Sequence, residues 1–451
     1  MEANKRSRDE PTAAVITEEA KKKTKITPAA AAASPAFLPD ELISEVLLRL
    51  PSKSVARFRS VCRSWNRLVS SAAFDRLYHD RQQQAPCSTY HHLIKLAAAR
   101  SAPPHLWKLC DGVSLHCDHC PRFIGAKPCH RGILLLGRQC AGAYTLCNLS
   151  TGGFLGLPPC RTGGYPCTAG IGYNSATGEY KVVQLDSRMD RPSWESLDCQ
   201  VLTVGDSRGW RCPASSSLPN NTRIEDDMDP VFANGCLHWI LDTELLVRDK
   251  PQGILSFSLA TESFATVPLP PFFTEDLVPY DTHHPFIGRV RSAKTTDNRM
   301  VMQPIGTALA ELDGCLGIIR DLRRRRDVDG MFEVWKLKEH YGSGAAWSLD
   351  YRIQLAASMG RELRETWLVV PICYLPSAAN SSSSEEEKRK IVLATTAHDA
   401  HVYDPQTRTL ASLAVAHDNY SRSDDDHDNL LCMALYQESL VHVPGMEYGA
   451  N

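Results

Sequence analysis

Beyond residue 90 the hydrophobic period of this chain shortens, and short apolar or alternating runs separated by Gly, Pro, Asn and Asp fill the remaining roughly 350 residues. Such runs fit strands. They include Arg131 to Gly137, Tyr180 to Leu185, Gln200 to Val204, Val231 to Ile240, Gly253 to Leu259, Phe332 to Leu337 and Trp367 to Ile372. Asn234-Gly235 and Asp313-Gly314 interrupt apolar stretches with the pairs that suit a two-residue hairpin, whose central residues need positive φ. The expectation is a large, predominantly antiparallel β domain.

A weak repeat sharpens this. Cys147-Asn148-x-x-Thr151, Tyr173-Asn174-x-x-Thr177, Phe257-Ser258-x-x-Thr261 and Tyr403-Asp404-x-x-Thr407 each end an apolar strand on a short polar residue followed by a threonine. The polar side chain can bond the backbone two residues on and close a turn. Copies lie 26, 84 and 146 residues apart, which is irregular. Blades of about 40 to 50 residues would allow six or seven in this length, so a β-propeller is expected, with a β-sandwich as the competing architecture.

Before residue 90 the texture is helical. Leu42, Ile43, Val46, Leu47 and Leu50 make one stripe of a 3.6-residue helix, with Pro39 and Asp40 at its start and Pro51 as its stop. Ser52 is expected to cap a second helix, and Val55, Phe58, Val61, Cys62, Trp65, Leu68 and Val69 continue mostly at spacings of three and four. Phe74, Leu77 and Tyr78 carry the helical region to about residue 82.

Bulk composition excludes little beyond extremes. With 50 Lys plus Arg against 52 Asp plus Glu the formal charge is −2, so net charge does not point to nucleic acid or a membrane. No stretch has 18 consecutive apolar residues and the start, Met1 to Glu10, is polar, so an intracellular protein of the nucleus or cytoplasm is expected. Its 16 cysteines then read as mostly buried thiols. Residues 1–35 carry an alanine tract and no aromatic side chain, and are expected to be a disordered basic tail. Lys5-Arg6 with Lys21-Lys22-Lys23-x-Lys25 fits either a two-part nuclear import signal or a solvated basic tail.

The helical segment resembles an F-box, in Phe37-Leu38-Pro39-Asp40-Glu41-Leu42-Ile43, Val46-Leu47-Leu48-Arg49-Leu50-Pro51, Lys53-Ser54-Val55-Ala56-Arg57-Phe58-Arg59 and Val61-Cys62-Arg63-Ser64-Trp65. That resemblance implies docking on a Skp-family adaptor, and through it on cullin and RING proteins, as the substrate receptor of an SCF-type ubiquitin ligase. Leu38, Pro39, Ile43, Leu47, Leu50, Pro51, Val55, Phe58 and Trp65 are the candidate adaptor-binding set. The alternative for this stripe is packing on the β domain.

The β region resembles the F-box-associated domain of plant F-box proteins. Matching pieces are Cys129-x-Arg131-Gly132-Ile133-Leu134-Leu135, Gly172-Tyr173-Asn174-x-x-Thr177-Gly178-Glu179-Tyr180-Lys181-Val182-Val183, Asn234-Gly235-x-Leu237-His238-Trp239, Phe332-Glu333-Val334-Trp335-x-Leu337 and Tyr436-x-Glu438-Ser439-Leu440-Val441. The resemblance implies a kelch-like propeller that recruits a protein target. Polar inserts at Asp186 to Asp198, Asn380 to Lys390 and Asp418 to Asp428 depart from the pattern. Expected boundaries are 1–35 for the tail, 36–82 for the F-box and 90–446 for the β domain.

Three other features compete for chemistry. Cys117-x-x-Cys120, with Cys110, Cys129 and nearby histidines, offers weak candidate ligands for zinc, but the second Cys-x-x-Cys of a zinc ribbon is missing. Arg323 to Arg326 concentrate charge but are bracketed by Asp321, Asp327 and Asp329, as in a solvated loop. His238-Trp239 and Trp335 could form an aromatic patch or core between blades. No nucleophile elbow, phosphate-cradling glycine loop or two-histidine zinc helix occurs, so no catalytic residue and no cofactor are expected. The expected function is substrate recognition for ubiquitination; a non-ligase F-box scaffold and a kelch-propeller metalloenzyme are the alternatives.

Overall fold

The structure, a computed structural model, describes residues 38–84, 91–95, 132–138, 143–160, 167–187, 197–213, 218, 224, 230–241, 253–272, 278–279, 291–294, 300–303, 309–322, 331–338, 346–354, 363, 369–375, 389–395, 400–414 and 433–448 of the 451. The expected tail, the import-signal cluster, the four candidate zinc cysteines and Arg323 to Arg326 all lie outside the described residues.

Four short helices come first: α1 (Asp40–Leu47), α2 (Ser52–Phe58), α3 (Arg63–Val69) and α4 (Ala72–Gln84). They are followed by β1 (His91–Lys95) and then a five-bladed antiparallel β-propeller. Blade one holds β2 (Ile133–Arg138), β3 (Ala143–Asn148) and β4 (Gly153–Gly156), and blade two holds β5 (Cys167–Asn174), β6 (Glu179–Ser187) and β7 (Leu197–Thr203). Blade three is β8 (Val231–Ala233), β9 (Cys236–Ile240), β10 (Ile254–Ser258) and β11 (Ser263–Val267). Next come β12 (Val278–Pro279), β13 (Arg291–Lys294) and β14 (Met300–Gln303), a separate sheet of order β12-β14-β13. Blade four is β15 (Leu309–Leu312), β16 (Cys315–Asp321), β17 (Met331–Leu337) and β18 (Trp347–Gln354); blade five is β19 (Val369–Leu375), β20 (Lys390–Thr395), β21 (Ala400–Asp404) and β22 (Thr409–Ala414).

The last two strands return to the beginning. β23 (Met433–Gln437) pairs antiparallel with β1, and β24 (Glu447–Tyr448) adds a fourth strand to blade one beside β4. The ring is thus closed twice by joining early strands to late ones. Five blades form where length alone allowed six or seven, because long connections separate the starts of β5, β8, β15 and β19 and because β12 to β14 stand outside the blades.

Apolar side chains fill each gap between successive blades. Ile133, Leu146, Val182 and Leu202 join blades one and two; Val201, Trp239 and Phe257 join two and three; Ile254, Leu309 and Ile318 join three and four; Val334, Tyr351, Ile391 and Tyr403 join four and five. Trp239 and His238 are buried, so that pair is core rather than a recognition patch. Trp335 packs partly buried against the third gap.

The expected hairpins form as read. Asn234 and Gly235 have φ of 50° and 74° between β8 and β9, and Asp313 and Gly314 have 53° and 80° between β15 and β16. The repeated turn also forms in all four places. Asn148 Oδ1 accepts the Ser150 N–H at 2.9 Å, Asn174 Oδ1 that of Ala176 at 3.1 Å, Ser258 Oγ that of Thr261 at 3.3 Å and Asp404 Oδ1 that of Gln406 at 2.9 Å. Its position within a blade is not constant: it joins second to third strand in blade one, first to second in blade two, and third to fourth in blades three and five. The uneven spacing of the copies follows from this. They repeat a turn, not a blade.

Candidate functional site

Strand direction gives the propeller two ends. In an up-and-down blade the first-to-second and third-to-fourth turns share one end, and second-to-third turns lie at the other. Asn148 belongs to the second end, and so does the entry to β2, since Gly132 backs onto the Gln437 carbonyl. The final segment, 436–441, threads this end. Asn148 Nδ2 donates to the Val441 carbonyl at 2.9 Å and to that of Ser439 at 3.3 Å. Ser150 N–H donates to the Tyr436 hydroxyl at 2.7 Å, Tyr436 donates to Asn148 Oδ1 at 3.2 Å, and Ser439 N–H donates to Ser150 Oγ at 3.0 Å. Burial pushes the Tyr436 phenol above its ordinary pKa, so it stays neutral.

The helices meet the same segment. Ser52 is the first residue of α2, not its cap as the sequence reading expected: the N-cap position is Pro51, which makes no side-chain capping bond. Glu438 Oε2 instead accepts the Ser52 N–H at 2.7 Å. At the other end of α2 the Arg59 guanidinium donates to the Leu440 carbonyl at 3.2 Å, and from α4 Gln82 Oε1 accepts from Gln437 Nε2 at 3.4 Å. Glu438 and Leu440 lie in Tyr436-x-Glu438-Ser439-Leu440-Val441, a piece that resembles the F-box-associated domain. Their contact with α2 carries no sequence signal, because it joins residues 386 and 381 positions apart.

Candidate adaptor residues separate by burial. Leu38, Pro39 and Pro51 are exposed, Ile43, Leu50, Phe58 and Trp65 are intermediate, and Leu47 and Val55 are buried in the chain itself. Phe58 and Trp65 meet edge to face, with ring centroids 5.4 Å apart, which ties α2 to α3. The Tyr78 hydroxyl donates to the Leu50 carbonyl at 2.8 Å and ties α4 to the turn before α2. The large apolar side chains left open on the helical region are Leu38, Leu42, Val46, Val61 and Leu77, each more than half exposed. Leu42 and Val46 are neighbours on α1 by their spacing of four. Four of these five are absent from the candidate set. The stripe Leu42, Ile43, Val46, Leu47 and Leu50 thus divides, with Leu42 and Val46 open and Leu47 buried in the chain.

The opposite end of the propeller carries Asn234-Gly235 and Asp313-Gly314 side by side, with Asn234 N–H donating to the Gly314 carbonyl at 3.1 Å. Next to them Asp313 accepts from Arg389 at 2.7 Å and from Lys336 at 3.3 Å, and both cations lie over the Tyr374 ring, at 4.5 Å and 4.9 Å from its centroid. The Tyr374 hydroxyl donates to Asp350. Blades two and three are clamped at this end by Glu262, which accepts both guanidinium nitrogens of Arg211 at 2.5 Å and the Lys181 ammonium at 2.7 Å. Glu262 has φ 51°, a left-handed backbone rare for a residue with a Cβ.

The Arg211 hydrogen bonds, with Lys181 adding to them, hold the Glu262 carboxyl down at about 2. An unfolded glutamate titrates near about 4.3, so the folded pKa is the lower one. Discounted for solvent screening, the clamp contributes on the order of 1 kcal/mol, complete above the unfolded value and fading as pH falls through 4 toward 2. Unfolding free energies of wild type and Glu262→Gln, measured by urea from pH 7 to pH 2, are therefore expected to differ at neutral pH and converge in acid. A constant gap would show that the carboxylate charge is not what the clamp uses.

Among the described residues no group of three or more His, Cys, Asp or Glu is placed to hold a metal. Nor is any helix there long and apolar enough to cross a membrane. The helical module thus leaves five apolar side chains open, and the propeller end away from segment 436–441 carries polar turns.

Comparison with known families agrees. Residues 37–77 match the F-box domain, and residues 110–300 match the F-box associated beta propeller domain. F-box protein At3g49450 of Arabidopsis thaliana is 31% identical over 249 residues, covering 51% of this chain and 60% of its own length. F-box protein At5g49610 is 30% identical, covering 46% and 59%, and F-box/kelch-repeat protein At3g23880 is 25% identical, covering 52% and 66%, both from the same plant. The chain spans about 60% of the length of the first two relatives. It carries F-box and F-box-associated β-propeller domains, and has F-box homologues in Arabidopsis. F-box proteins are generally non-catalytic adaptors, and the two families matched are the F-box and the F-box associated beta propeller domain.

Proposed function

We propose that this chain is the substrate-recognition subunit of an SCF-type ubiquitin ligase. The F-box would dock on a Skp-family adaptor, and through it on cullin and RING proteins, while the propeller binds a protein target. The observation that carries this is the set of open apolar side chains Leu38, Leu42, Val46, Val61 and Leu77 on a helical module that matches the F-box domain. Large apolar side chains left exposed in so short a stretch of sequence are a usual mark of protein that another protein covers. The division into a tail at 1–35, an F-box at 36–82 and a β domain at 90–446 is the working one, and the site of action is the nucleus or cytoplasm.

Target binding is assigned to the end of the propeller away from segment 436–441. Support comes from the occupied state of the near end, where the second-to-third-strand turn of blade one is filled by that segment. The far end presents the turns at Asn234, Asp313 and Asp404 with the Arg389 and Lys336 cations beside them. Ubiquitin transfer itself would belong to the partners, with this chain supplying proximity. The test is affinity capture of the chain from plant cells with the proteasome blocked. Adaptor, cullin and a ubiquitinated protein are expected together. Adaptor without cullin or any ubiquitinated protein would favour the non-ligase scaffold instead.

A further inference from the structure

Segment 436–441 has two working sides. Ser439 and Val441 are bound by Asn148 and Ser150, which seats the segment on blade one and follows directly from the β1–β23 closure. Glu438, Leu440 and Gln437 hold Ser52, Arg59 and Gln82. Both ends of α2 are therefore gripped by residues two positions apart on one strand of chain.

α2 depends on that grip. It has only seven residues, well below the length at which an isolated helix is stable in water, and nucleation is costly. Its N-cap is Pro51, whose side chain cannot accept a hydrogen bond, so the Ser52 N–H, buried in the fold, has Glu438 as its acceptor. A buried N–H that loses its acceptor is costly enough to release a helix this short.

We infer that segment 436–441 couples ring closure to the ordering of α2, so that the F-box surface forms only on a chain whose propeller has closed. The inference concerns regulation of the adaptor surface and rests on the adaptor reading given above for its biological meaning. Its physical content does not. The coupling is reciprocal: what loosens the segment on the propeller side must loosen α2, and what frees α2 must leave the segment less firmly held.

The experiment is amide hydrogen exchange on the full chain, with adaptor affinity measured alongside. Glu438→Ala acts on the helix side and Asn148→Ala on the propeller side. Both are expected to speed exchange across Ser52–Phe58 at least tenfold, equivalent to about 1.4 kcal/mol, and to weaken adaptor binding by a similar factor. Glu438→Gln, which keeps an acceptor oxygen, is expected to lie between wild type and Glu438→Ala. Should Asn148→Ala fail to fold, Ser439→Ala, which removes the acceptor of the Val441 N–H, carries the same expectation. Faster exchange at Ser439 and Val441 with α2 unchanged overturns the coupling. If wild type itself binds no adaptor while α2 exchange responds as described, the ligase reading fails and the coupling stands.

Discussion

Changing Leu42 and Val46 to aspartate is expected to abolish adaptor capture while leaving the melting temperature within about 2 °C of wild type. Both side chains are more than half exposed in the chain alone, so nothing internal is lost. At the interface each would bury an unpaired charge where a partner expects apolar surface, and a thousandfold loss of affinity, about 4 kcal/mol, is a low expectation. Leu47→Ala makes the contrast. Leu47 is 1% exposed, so truncating it removes core packing, typically about 2 to 5 kcal/mol, and should lower stability whether or not an adaptor is present. Pull-down with adaptor and a thermal melt on the two variants separate these outcomes. Adaptor retained by the double aspartate variant would place the docking surface elsewhere.

Gly132→Ala is expected to be the most damaging methyl group in the propeller. Gly132 has φ 68°, which a Cβ disfavours, and the added carbon would fall 2.1 Å from the Gln437 carbonyl oxygen. That neighbour is backbone in the closing strand and cannot turn aside as a flexible side chain would. β23 must be displaced from the entry to β2, and a cost above about 3 kcal/mol follows from the combined strain and lost closure contacts. Urea unfolding is the measurement. Gly152→Ala is the control: φ is the same, 68°, but a Cβ there meets nothing within 4 Å, so only the backbone penalty should appear. Equal losses in the two variants would show that the approach to Gln437 contributes nothing.

Much of this architecture was legible because its determinants are local. Asn234-Gly235 and Asp313-Gly314 need positive φ wherever they stand, and the polar residue at 148, 174, 258 and 404 bonds atoms two or three positions away. What was not legible joins residues far apart in the chain. Periodicity placed Leu42, Val46, Leu47 and Leu50 on one stripe but could not tell which part the protein buries for itself, since that depends on where α4 and the closing segment lie. Ser52 looked like a cap because serine is a good one, yet its acceptor comes from Glu438. Blade number escaped for a similar reason: turn motifs mark hairpins, and only pairing distinguishes β12 to β14, outside the blades, from the strands within them.

The double closure also sets a schedule for synthesis. β4 emerges with its outer edge unpaired and waits for β24, which lies 447 − 154 = 293 residues further along at the paired positions. At about 5 to 20 residues per second a ribosome needs roughly 15 to 60 s to supply it. During that interval the first blade shows a bare strand edge, the feature most prone to pairing with the wrong chain. Contacts of such long range also slow folding after release. A nascent chain of this protein is therefore a natural client for chaperones until β24 arrives, and a product cut short of β24 keeps that edge of the first blade bare.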